Sequence, residues 1–84
     1  MDRQKLRNVI RRKLANGRLP TNAPIELEVH RGTGAMCDAC GGRIRATDIE
    51  HEFSYHDGHP FRLHFDCAAE WMAVRRERGL YLAS

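Results

Sequence analysis

The stretch Cys37-Asp38-Ala39-Cys40-Gly41-Gly42 is followed, after residues 43–63, by His64-Phe65-Asp66-Cys67, and together they contain every cysteine of the chain. The resulting C-x2-C…H-x2-C pattern places two soft donors on each of two short turns, which is what a tetrahedral zinc ion requires. The sequence therefore predicts one zinc ion, bound by Cys37, Cys40, His64 and Cys67.

Two other uses of the cysteines fit this pattern less well. A redox-active Cys37-x-x-Cys40 pair normally opens a helix, whereas Gly41 and Gly42 favour a turn in which backbone N–H groups point at thiolate sulfurs. A disulfide framework would leave one of the three cysteines unpaired. Because four donors fill a tetrahedral shell, we expect a structural ion and no enzymatic activity.

Candidate acid–base groups do not change that expectation. Glu50, His51 and Glu52 are the nearest to such a set, but their alternation suits a hairpin strand, and one of them could support His64 from behind. The spare histidines have no partner at a short ligand spacing and are expected on the surface or in strands: His30, His51, His56 and His59.

The length of 84 residues is near the size at which a single apolar core is only marginally sufficient. We expect one domain, residues 1–84, with a zinc-finger core at 34–79 whose folding depends on metal binding. No stretch resembles a membrane span or a signal core, so the sequence predicts a cytoplasmic protein without a membrane partner. A reducing compartment agrees with cysteines that act as thiolate ligands.

The N-terminal segment, residues 1–18, carries seven basic residues and one acidic residue, although the net charge of the whole chain is only +3. Apolar residues recur at helical spacing between the possible N-cap Asp2 and the stop signal Asn16-Gly17: Leu6, Val9, Ile10 and Leu14. We predict an amphipathic helix over residues 3–16. Its basic face is either simply solvated or a phosphate-binding surface for DNA or RNA, with four candidate residues, Lys5, Arg7, Arg11 and Arg12. An acidic protein partner is the other possibility.

The remaining elements are predicted from alternation and turn signals. Ile25, Leu27 and Val29 alternate with polar residues and indicate a half-buried strand. Gly32-Thr33-Gly34 is interpreted as a flexible approach to the turn that carries Cys37 and Cys40, called the metal turn below. Asp57-Gly58 predicts a hairpin with strands at about 49–55 and 60–64. Asp66 is a possible N-cap of a helix that runs to about Arg78 and stops at Gly79, with Cys67 in its first turn and Trp71 and Met72 in the core. The fold class is therefore small α+β, stabilised by zinc.

This order of metal turn, hairpin and ligand-bearing helix, from Met36 to Arg78, resembles the treble-clef class of zinc fingers. Its ligand order resembles the first zinc site of LIM domains and PARP-type DNA-nick-binding fingers, and the whole chain is similar to small bacterial zinc-finger-like proteins. The resemblance implies the same four zinc ligands and no established activity. The dense positive charge of residues 1–18 favours a regulatory nucleic-acid-binding protein that uses the basic helix. The alternative is a protein-protein interaction adaptor that uses the hairpin or the tail Leu80-Tyr81-Leu82. The resemblance does not define the oligomeric state.

Overall fold

The computed structural model describes residues 2–56, 58, 60–77 and 79. Within them the chain forms two helices and a three-stranded antiparallel sheet. The elements in chain order are α1 (Arg3–Ala15), β1 (Glu26–Arg31), β2 (Ile49–Ser54), β3 (Phe61–His64) and α2 (Phe65–Glu77). The predicted α+β class is therefore confirmed.

Helix α1 begins and ends where the sequence signals indicate. The Asp2 carboxylate accepts a hydrogen bond from the Lys5 N–H at 2.9 Å, which satisfies one of the amides left unpaired at a helix N-terminus. Asn16 caps the other end, and Gly17 follows with a positive φ of 81°. The apolar stripe is buried against α2 through Leu6, Ile10 and Leu14.

The sheet has the strand order β1-β2-β3. The predicted hairpin is formed by β2 and β3, and β1 pairs with β2 on its other side. Phe53 is opposite Leu27 on β1 and Phe61 on β3, and His51 is opposite Val29 and Leu63. These side chains share one face of the sheet, because alternate residues of a strand point the same way. The opposite face carries the polar residues of all three strands.

The burial of β1 differs from the prediction. Leu27 is 44% exposed and Val29 is 56% exposed, although both lie on the face that α2 covers elsewhere. Helix α2 packs on β2 and β3, and neither helix contacts β1. The alternating pattern therefore identified a strand correctly, but this strand is an edge strand beyond the reach of the covering helix.

Helix α2 follows β3 without a connecting loop. It starts at Phe65, so Asp66 lies in the first turn and is not the predicted N-cap. Trp71 is buried, as expected from the sequence, and Met72 is partly buried against the same core. Cys67 lies in the first turn, as predicted, and is also buried. The Trp71 ring lies edge-on to Phe53 with centroids 4.8 Å apart, and its Nε1 donates to the Pro20 carbonyl at 3.3 Å.

A buried arginine ties α2 to the connector after α1. Arg75 is only 1% exposed, donates from Nη2 to the Thr21 carbonyl at 2.6 Å, and lies 4.9 Å from the centroid of the Trp71 ring. Desolvation lowers the pKa of Arg75. The hydrogen bond and the cation–π contact offset part of the cost of burying this charge.

Some predicted features fall outside the described residues: Asp57 of the hairpin turn, His59, Arg78 and the tail Leu80-Tyr81-Leu82. Gly79 itself has the positive φ, 75°, expected just beyond a helix end. Neither described helix combines the length and the apolar character that crossing a bilayer requires.

Candidate metal centre

The first half of the centre is the tight turn at residues 37–42. The Cys37 N–H donates to the Gly42 carbonyl at 2.7 Å, and the Gly41 N–H donates to the Cys37 carbonyl at 2.9 Å. Gly41 has a φ of 80°, a conformation that other residues adopt only with strain. The Gly42 N–H then donates to Cys40 Sγ at 3.4 Å. The turn thus directs a backbone amide at a sulfur, as the Gly-Gly sequence predicts.

The second half is the junction of β3 and α2. His64 is the last residue of β3, and Cys67 lies in the first turn of α2. His64 Nδ1 is 3.4 Å from Cys40 Sγ and 3.8 Å from Cys67 Sγ. The ligand atoms of Cys37, Cys40, His64 and Cys67 all lie within 4.8 Å of one another.

These distances fit a tetrahedral ion. Zinc bonds of about 2.3 Å to sulfur and about 2.0 Å to nitrogen place neighbouring ligand atoms about 3.5 Å apart. The two nitrogen–sulfur distances lie on either side of that value. Cys37 and Cys67 are buried, while Cys40 and His64 are half-buried. The four residues can therefore hold a metal ion at a largely covered position.

The orientation of His64 is set by its second nitrogen. His64 Nε2 lies 3.1 Å from the Arg43 carbonyl and 3.7 Å from a carboxylate oxygen of Asp48. Because a carbonyl only accepts, Nε2 carries the proton, and the lone pair of Nδ1 faces the sulfurs. Histidines that bind metals are usually oriented by such a contact. The supporting groups are thus Arg43 and Asp48, and not the residues 50–52 suggested by the sequence.

The surroundings of Cys37 favour its thiolate form, which is the form that binds a metal ion. Hydrogen bonds from the Cys67 thiol and from backbone N–H groups lower the pKa of Cys37 to about 4, against the opposing effect of burial. The same interaction with Cys37, together with burial, raises the pKa of Cys67. One thiolate is therefore stabilised by its surroundings, whereas Cys67 must release its proton when a cation binds.

Four hydrogen bonds that sequence reasoning missed, two from Lys13 and two at Asp38, hold the turn in place. Lys13 Nζ donates to the carbonyls of Asp38 and Ala39 at 3.0 and 2.8 Å. Asp38 also pairs with Arg62 of β3: its N–H donates to the Arg62 carbonyl, and its carboxylate accepts from the Arg62 N–H, both at 2.8 Å. The metal turn is thus tied to α1 and to β3. The basic stretch at residues 11–13 gave no signal that singled out Lys13.

Fold and site together define a small α+β protein with a Cys3His cluster whose four donors could hold a metal ion. No family model, curated protein or solved structure matches the chain.

The polar face of the sheet is organised around a buried carboxylate. Glu50 is fully buried and accepts hydrogen bonds from the Thr33 N–H and Oγ1 at 3.0 and 2.9 Å, and from Arg62 Nη1 at 3.0 Å. Burial alone would raise the pKa of Glu50, but the bonds from Thr33 and Arg62 outweigh it and lower the pKa. Glu50 therefore fixes the segment that approaches the metal turn, which the sequence had suggested was flexible.

The spare histidines that the structure describes have neighbours other than the four cluster residues. His51 packs against Phe65 with ring centroids 5.5 Å apart, and desolvation lowers its pKa. His30 Nε2 lies 3.1 Å from Glu52, and His56 is exposed. Glu28, His30 and Glu52 also lie close enough together to bind a cation. Glu52, however, is already in contact with Arg62 at 3.3 Å.

Two of the four candidate phosphate-binding residues on α1 are in ion pairs. Arg7 donates from Nε to Glu70 and lies 3.4 Å from Glu77, and Arg11 Nη2 is 3.0 Å from Glu77. These contacts join the flank of α1 to α2. The acidic half of the chain therefore partly neutralises its own basic helix.

The other two candidates, Lys5 and Arg12, are exposed. Their side chains form no ion pair within the part of the chain that the structure describes. They are seven residues apart, close to two helical turns, so they lie on the same outer face of α1.

Proposed function

We propose that this chain is a non-enzymatic module in which the Cys3His cluster holds one structural zinc ion. The observation that carries the proposal is the closed donor set: three sulfurs and an imidazole nitrogen surround one point, and the imidazole is oriented from behind by a backbone carbonyl. Thiolate-rich tetrahedral sites favour zinc over magnesium or calcium. The succession of metal turn, hairpin and ligand-bearing helix also supports the treble-clef interpretation.

Cobalt substitution tests the closed shell. We expect Co²⁺ to give the intense visible d–d absorption of tetrahedral coordination by three sulfurs and one nitrogen, because four protein donors leave no position for water. The measurement is an absorption titration to one equivalent, followed by displacement with Zn²⁺. The weak bands of a five- or six-coordinate ion would contradict a structural site and would indicate an open position for water, as in a catalytic site.

The function that we assign to this module is binding to nucleic-acid phosphates through the outer face of α1. Lys5 and Arg12 support it because they are exposed and have no ionic partner among the described residues. The ion pairs of Arg7 and Arg11 and the contacts of Lys13 anchor both flanks of the helix. A helix fixed in this way presents its two free cations at low cost in conformational entropy.

A salt titration with two double variants tests this assignment. We expect Lys5→Gln with Arg12→Gln to weaken binding to mixed-sequence duplex DNA and to lower the slope of log K against log salt by about 2, because two phosphate contacts are lost. The control, Arg45→Gln with Arg76→Gln, removes the same charge from exposed residues outside α1 and β1. An equal effect of both variants would show that only net charge matters, and absence of binding by the unmodified protein at low salt would exclude the proposal.

The other basic residues of this region have structural partners. We assign Arg7 and Arg11 to stability, since they join the two helices, and we assign Arg62 to the support of Glu50.

A protein-binding adaptor is the second candidate function. The observation that favours it is a group of exposed apolar side chains at Ile25, Leu27 and Val29, which are 56%, 44% and 56% exposed.

A further inference from the structure

The outer edge of β1 has backbone groups that are free to pair. The Gly32 N–H donates to the Asp48 carbonyl at 3.0 Å, which continues the β1–β2 register by one residue. Hydrogen-bonded pairs alternate along an antiparallel ladder, so Glu28 and His30 direct their backbone groups at β2. Leu27 and Val29 direct theirs away from it. No hydrogen bond from a described residue reaches the backbone of Leu27 or Val29 on that side.

The same edge carries an apolar surface that continues onto β2 and α2. Val29 is opposite His51, and the ring of His51 contacts Phe65, which is 56% exposed. Leu27 and Ile25 extend this surface along β1. An edge strand that combines unpaired backbone groups with exposed apolar side chains is a template for strand addition.

The charges of β1 favour pairing with the β1 strand of a second copy of this chain, in one particular register. In an antiparallel pair of two β1 strands with the two-fold axis at Val29, Glu28 of each copy is directly opposite His30 of the other. Glu28 has no ion pair among the described residues. A shift by two residues places Glu28 opposite its own copy or brings the two His30 side chains together, and like charges directly opposite destabilise a strand pair.

We propose that two copies of this chain pair antiparallel through β1, with Val29 on the two-fold axis, and so form one continuous six-stranded sheet. Leu27 and Val29 supply the backbone hydrogen bonds of the new ladder. Arg31, whose carbonyl also lies 2.9 Å from His30 Nδ1, is opposite Leu27 of the second copy. The pairing concerns the surface of the second candidate function and does not use the cationic face of α1. Its test is therefore independent of the nucleic-acid titration.

A proline at position 29 is the first test, because the Val29 N–H points away from β2. Val29→Pro removes a donor of the intermolecular ladder and leaves the β1–β2 hydrogen bonds in place, and proline is tolerated at such edge positions. By sedimentation velocity of the zinc-loaded protein, we expect a dimer for the unmodified chain and for the control Val29→Thr, and a monomer for Val29→Pro. A monomeric unmodified chain at millimolar concentration would overturn the proposal.

A charge exchange tests the register and does not depend on the proline variant folding. Glu28→Lys places a lysine opposite His30 of its copy, and His30→Glu places two carboxylates opposite each other, so each variant alone should be monomeric. Mixed together, they restore opposite charges at both positions, and we expect a heterodimer. Two variants that remain dimeric alone, or a mixture that remains monomeric, would exclude this pairing.

Discussion

Chelation at neutral pH is expected to unfold the segment from Gly34 to Ala73. The four ligands come from a turn and a strand–helix junction that are brought together around one point, so the free energy of metal binding is largely free energy of folding. For structural zinc in small peptides this contribution is about 10 kcal/mol, comparable with the whole stability of a domain of this size. The remaining core, shared by α1, α2 and the sheet, is too small to compensate.

Two readouts follow this unfolding. Amide dispersion in NMR spectra should collapse for residues 34–73, and the fluorescence of Trp71, the only tryptophan, should shift as its buried ring meets water. His64→Ala should reproduce the effect in the presence of zinc, whereas the matched variant His56→Ala, at an exposed histidine, should not. A chelated protein that keeps its dispersed spectrum would show that the metal is not structural.

Gly32→Ala is expected to have the second largest effect, a destabilisation of about 3 kcal/mol. A Cβ at this position would lie 1.9 Å from the Arg45 carbonyl oxygen and 2.8 Å from that of Ile44. Both obstacles are backbone atoms, so neither can move aside by a rotamer change. The adjacent hydrogen bonds, from the Gly34 N–H to Ile44 and from the Ile44 N–H to Ala35, are 2.9 and 2.7 Å long and would have to shift.

The substitution should also weaken zinc binding, because residues 43–45 lead directly from the metal turn and Arg43 orients His64. Urea denaturation and competition with a zinc indicator measure the two effects. Gly58→Ala is the matched control, since an added Cβ there meets nothing within 4 Å. Equal stability of the two variants would contradict the close approach at Gly32.

The elements that the sequence predicted well are those whose signals are local. The spacing of the cysteines and His64 identified the four candidate ligands. The Asp2 cap and the apolar periodicity predicted the bounds of α1 almost to the residue. Such patterns depend on neighbouring positions only. They need no knowledge of how the chain packs.

The features that the sequence did not predict depend on distant parts of the chain. The apolar side chains of β1 are exposed because α2 packs on β2 and β3 and does not reach β1. Glu50 is buried because Thr33 and Arg62 approach its carboxylate from either side. Whether Arg7 is free or paired depends on Glu70, on the other helix. Periodicity identifies a face of an element but not what lies against it.

The direct passage from β3 into α2 has a kinetic consequence. His64 and Cys67 belong to one uninterrupted strand–helix segment, whereas Cys37 and Cys40 belong to the turn, so we expect the two ligand pairs to move as two bodies. An ion would leave only when these two bodies separate, and Lys13 and Asp38 hold the turn against that separation. The lifetime of a bound ion would then be governed by the opening of the turn, which Lys13 of the first helix restrains.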